Sequence, residues 1–140
     1  MLHDSVSVII PTYNRNIIVL KTLEYFNNQS IKDFELIVID QTQFPDKELI
    51  DFTSEYFNYL YINIEEVGLP NARNVAANKA RGEILIFVDD DVKPEPTLIE
   101  NYIIEYKKNP HPNIIIGGKV IEYDSMIMND DLTMTGGRIT

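Results

Sequence analysis

Short apolar runs alternate with amphipathic stretches along the chain, and this rhythm leaves few folds open. Residues 5–10, 34–39, 60–64 and 83–88 are apolar over the length of a strand, and a fifth such run begins at 114–116. Between them, apolar side chains recur at helical spacing over residues 16–27, 46–57 and 71–80 and again from Leu98 to Tyr106. The third of these stretches carries the small stripe Ala72, Val75, Ala76 and Ala80, suited to close packing on a sheet, and Gly82 stops it. A β-α-β series of this kind predicts an α/β domain with an open, mostly parallel sheet and helices on both faces. Ligands of such folds bind beyond the carboxyl ends of the strands.

The polar residues converge on that edge. The first strand runs into Pro11-Thr12-Tyr13-Asn14-Arg15, with Pro11 ending it, the second into Asp40-Gln41-Thr42, and the fourth into Asp89-Asp90-Asp91. The run before the triplet, Ile84-Leu85-Ile86-Phe87-Val88, has the apolar, β-branched character of a strand buried on both faces. Two carboxylates about 4 Å apart repel by roughly 4 kcal/mol at an effective dielectric near 20. Protonation, splaying into water or a hard divalent cation relieves that repulsion. A cation at such a strand end is a place for phosphate chemistry. The alternative is that an aspartate caps the following helix, which explains one residue of the three.

Composition excludes several classes. The 140 residues suit one domain spanning 1–140 with a real core. A formal net charge of −10 argues against nucleic-acid binding and against charge-driven attachment to anionic lipid. There are no cysteines, which rules out disulfides and thiolate metal sites and fits a cytoplasmic setting. No apolar stretch approaches the roughly 20 residues of a transmembrane helix. Neither a G-x-G-x-x-G loop nor a Walker-type lysine follows the first strand, which argues against a dinucleotide-binding domain and a P-loop NTPase.

Four segments in order carry a family resemblance: Val6-Ser7-Val8-Ile9-Ile10-Pro11-Thr12-Tyr13-Asn14-Arg15, then Asn28-Gln29-Ser30 with Asp33–Asp40, then Val67–Asn74, then Gly82–Asp91. Together they resemble the donor-binding part of inverting family 2 glycosyltransferases of the GT-A (Rossmann-like) fold, the last segment matching the strand with its DxD motif. The resemblance implies that Pro11, Thr12 and Tyr13 line a nucleotide pocket, with Tyr13 facing a base. It sets Asp40 and Gln41 beside the base or ribose, Arg73 near the diphosphate or base, and Arg15 as a phosphate contact. Asp89 and Asp90 would face the ribose and donor sugar. Asp91, with Asp89, would hold Mg²⁺ or Mn²⁺ against the diphosphate of a nucleotide-diphospho-sugar, a UDP-sugar in the first instance. The acceptor would be a saccharide or glycolipid, in polysaccharide or glycolipid synthesis, with the full-length enzyme peripheral to a membrane.

Two departures qualify the match. Gln41 stands where many members carry a second acidic residue against a uracil ring nitrogen; its carbonyl could accept from that N–H and its amide could donate to a ring carbonyl. The acceptor-binding half that supplies the catalytic base is not matched, so the chain reads as truncated before it, with the base outside and exposed apolar surface inviting self-association. Glu122, Asp124, Asp130 and Asp131 fit no motif and read as solvated. Alternatives are a non-catalytic nucleotide-sugar-binding module and, lower, a nucleotidyltransferase.

Overall fold

The computed structural model describes residues 5–109 and 115–118. The elements are β1 (Val6–Thr12), α1 (Asn16–Phe26), β2 (Glu35–Asp40), α2 (Lys47–Ile50), β3 (Asn58–Asn63), α3 (Leu69–Lys79), β4 (Ile84–Phe87) and α4 (Leu98–Lys108). The strands pair in parallel in the order β3-β2-β1-β4. The open parallel sheet expected from the alternation is therefore present.

Side chains alternate across the sheet with the strand period of two. Val8, Ile10, Leu36, Val38, Ile84 and Ile86 face Val19, Leu23 and Phe26 of α1, Leu49 of α2, and Leu98 and Ile99 of α4. Ile9, Ile37 and Ile39 face Ala72 and Ala76 of α3. Each wholly buried isoleucine contributes about 1.5–3 kcal/mol. The alanines let α3 lie close against them.

Four expectations need correction. Pro11 lies within β1 rather than ending it, in register with Ile39 of β2. β1 pairs with β4 only as far as Ile9 opposite Phe87, with a last bond from Val88 N–H to Ile9 O. Pro11 has the parity of Ile9, so its missing N–H falls on the side where β4 has already departed. β3 begins at Asn58, opposite Glu35, two residues earlier than expected. The second helix is a single turn, not a stretch reaching residue 57. Beyond it, Phe52 and Phe57 join Phe34 and Tyr59 in an aromatic cluster with centroids 5.0–6.2 Å apart. The Ser54 hydroxyl donates to Asn27 Oδ1 at 2.7 Å and accepts from Tyr56 N–H at 3.0 Å. A continuous helix would break these contacts. Of the fifth strand, residue 114 lies outside the described residues, and residues 115–116 are in no strand.

The amino ends of the strands are tied by a polar network. Ser7 Oγ donates to Glu35 Oε2 at 2.6 Å and accepts from Gly82 N–H at 2.8 Å, and Arg81 N–H donates to the same Glu35 oxygen at 3.0 Å. A Cβ on Gly82 would stand 2.5 Å from Ser7 N, so the backbone approach here requires glycine.

Candidate functional site

The strand order places β2 on one side of β1 and β4 on the other, so the topological switch point lies between β1 and β4. Ligands of open α/β sheets bind in the crevice at such a point. Thr12 stands at the carboxyl end of β1, and the aspartate triplet begins two residues after β4. After β1 the chain turns through Asn14 at φ 53°, a left-handed conformation that asparagine tolerates. Asn14 N–H donates to Thr42 Oγ1 at 2.8 Å, which stitches the loops after β1 and β2 together.

The three aspartates divide. Asp90 turns inward and is buried. Its Oδ2 accepts from Thr12 Oγ1 at 2.8 Å, its Oδ1 lies 3.2 Å from Arg15 Nη1, and its backbone carbonyl accepts from Thr22 Oγ1 at 2.7 Å. Burial pushes the Asp90 carboxyl above the usual range, partly offset by the Thr12 bond and the Arg15 charge. Asp89 and Asp91 are exposed. Asp91 Oδ2 lies 3.3 Å from Arg15 Nη2, whereas Asp89 makes no hydrogen bond or ion pair among the described residues. The helix-capping reading of the triplet does not survive. The helix α4 begins at Leu98, and the N–H of Ile99 in its first turn is served instead by Gln29 Oε1, 3.1 Å away.

The end of β2 is internally satisfied. Asp40 is fully buried; its Oδ1 accepts from Thr42 N–H at 3.0 Å and its Oδ2 from Tyr61 OH at 2.7 Å. Asn63 Nδ2 donates to the carbonyls of Asp40 and Thr42 at 2.9 and 3.0 Å. Gln41 N–H donates to Thr12 O, and its side-chain carbonyl accepts from Gly68 N–H at the start of α3. Its amide N–H₂ is the part left to offer.

The structure thus joins Thr12, Arg15, Asp90 and Asp91 directly and links Asp40 and Gln41 to them through Thr12 and Thr42. Pro11 is half-buried, and Tyr13 is 47% exposed, so it is not a packed loop aromatic. Arg73 is exposed on α3 and forms no ion pair among the described residues. Glu122, Asp124, Asp130 and Asp131 lie outside the described residues. Sequence reasoning passed over Thr22, which has no motif. It also gave no role to Gln29, although Asn28-Gln29-Ser30 was one of the matched segments.

The described residues hold no group of three His, Cys, Asp or Glu side chains that could cage a metal. Mg²⁺ does not need one: it is commonly bound by one or two carboxylates, substrate phosphates and water. Asp91 retains one oxygen outside the Arg15 contact and Asp89 retains both, so the donor set fits a hard cation shared with a phosphate ligand.

An open α/β domain with acidic and hydroxyl groups gathered at its switch point is the class that fold and site define. Residues 7–135 match Glycosyl transferase family 2, and the chain belongs to that family. A GalNAc(5)-diNAcBac-PP-undecaprenol beta-1,3-glucosyltransferase of Campylobacter jejuni is 30% identical over 151 residues, covering 91% of this chain and 47% of the relative. An uncharacterized glycosyltransferase of Haemophilus influenzae is 29% identical over 109 residues, covering 78% and 37%. The chain therefore spans less than half the length of either relative. Among solved structures, S. aureus TarS 1-349 in complex with UDP superposes with a TM-score of 0.66 at 25% identity, covering 76% of this chain and 33% of that one. The mannosyltransferase PcManGT from Pyrobaculum calidifontis, in complex with GDP-Man and Mn²⁺, has the same fold at a TM-score of 0.65 and 22% identity, covering 81% and 34%.

Proposed function

We propose that this domain binds a nucleotide-diphospho-sugar, in the first instance a UDP-sugar, together with Mg²⁺ or Mn²⁺. The complete enzyme then transfers the sugar to a saccharide or glycolipid hydroxyl with inversion. The observation that carries the reading is the division of the triplet, with Asp90 bound inward and Asp89 and Asp91 left outward at the switch point. In this reading Asp91 holds the metal, Asp89 stands beside it toward the ribose and sugar, and Asp90 anchors the loop. Tyr13 offers an aromatic face to the base, Gln41 an amide donor, and Arg15 and Arg73 positive charge for the diphosphate.

The net charge of −10 makes a bare diphosphate a poor partner for an acidic edge. A bound divalent cation supplies the charge that offsets the phosphates and the developing leaving group. Proximity to family 2 enzymes supports the transfer, and the nucleotide complexes of TarS and PcManGT support a nucleotide-sugar donor.

The test is calorimetric titration of UDP, with Mn²⁺ and with a chelator, into wild type and Asp91→Asn. Asp91→Asn should melt like wild type, because the side chain is exposed, yet lose most metal-dependent binding. Unchanged binding would remove Asp91 as the metal ligand.

A further inference from the structure

We propose that Thr22, a buried residue of α1, is a positioning residue that sets the direction of the two outward aspartates; the proposal rests on the donor-site reading above. Thr22 is 2% exposed and lies one helical turn beyond Ile18. A helical threonine commonly returns its hydroxyl to the carbonyl four residues back. Here that distance is 3.4 Å, whereas the hydroxyl reaches Asp90 O at 2.7 Å. The single hydroxyl proton therefore goes to the aspartate loop.

The accepting oxygen matters. Asp90 C=O belongs to the planar peptide unit that joins Asp90 to Asp91, so fixing the oxygen fixes that plane and the Cα of Asp91. The Asp90 side chain is held at the same time by Thr12 and Arg15. With both ends of Asp90 anchored, Asp89 and Asp91 are left on the outer side. The far end of the loop is held by the same helix region: Gln29 Nε2 donates to Glu95 O at 2.7 Å, its Oε1 accepts from Ile99 N–H, and Ser30 N–H donates to Pro96 O at 2.7 Å. Residues 22 and 29–30 thus fasten both ends of the stretch from 90 to 99. Groups that orient a metal ligand from behind commonly matter nearly as much as the ligand.

Thr22→Val keeps the shape and removes the donor, while Thr22→Ser restores it. Both are titrated with UDP and with GDP, in Mn²⁺ and in EDTA, beside thermal melts. Thr22→Val should lose about tenfold or more of the affinity that Mn²⁺ confers. Its affinity in EDTA should stay at the wild-type level, and Thr22→Ser should recover the loss. Should Thr22→Val not fold, Thr22→Ala carries the same comparison. An undiminished Mn²⁺-dependent gain, an equal loss with and without Mn²⁺, or no recovery in Thr22→Ser would overturn the proposal. If wild type binds neither nucleotide more tightly with Mn²⁺, the donor-site reading itself falls. Wild-type binding with unaltered variants removes only the role of Thr22.

Discussion

At the scale of residues, the buried carboxylates of this edge are held by hydroxyl groups. Asp90 is caught by Thr12, and Asp40 by Tyr61. Tyr61 has its hydroxyl pKa pushed above its ordinary 10.0, first by burial and then by the hydrogen bond to Asp40 and its charge. Tyr59 is raised for similar reasons. Above pH 10 the unfolded tyrosines ionise while the folded ones keep their protons, so stability falls as pH rises. Tyr61→Phe should cost about 1–3 kcal/mol at neutral pH by leaving an Asp40 oxygen unmet. The same substitution should weaken the alkaline fall without abolishing it, since Tyr59 remains. Urea melts at neutral pH and above pH 10 check both parts, and an unchanged alkaline slope would remove Tyr61 from the linkage. The triplet itself was plain in the sequence, but its division was not. Which aspartate turns inward depends on Thr12, Arg15 and Thr22, and they are 68 to 78 residues away along the chain.

At the scale of elements, periodicity located the four strands and three of the helices among the described residues well, placed a fifth strand where residues 115–116 are in none, and failed where tertiary contacts outweigh local pattern. Leu49, Phe52, Thr53 and Tyr56 have helical spacing, yet Thr53 and Tyr56 are exposed, and Phe52 serves the aromatic cluster. Pro11 is a strand breaker by local rules, and only the early departure of β4 explains its place inside β1. Gly82 was read from sequence as a helix stop. In the structure α3 ends at Lys79 with Ala80 as its cap, and what demands glycine at position 82 is instead the 2.5 Å approach of a would-be Cβ to Ser7 N. Because that neighbour is backbone and cannot swing aside, Gly82→Ala should destabilise the fold by about 1–3 kcal/mol. Chemical denaturation of the variant reads this directly; wild-type stability would show that the β1 and β4 amino ends have slack.

At the scale of the whole molecule, alternation predicted a parallel sheet but not the order of its strands. The order β3-β2-β1-β4 depends on where each crossover packs, and it is what brings Thr12 and the aspartate triplet to one crevice. The proposed donor site requires that this crevice take a nucleoside diphosphate and a divalent metal as a unit. It is tested most directly by the thermal and chemical stability of the wild-type chain with Mn²⁺ alone, UDP alone and both together. At about 100 times its dissociation constant, UDP with Mn²⁺ should add roughly 2.7 kcal/mol, and each alone far less. Equal stabilisation by UDP with and without the metal would rule out a metal-linked donor site.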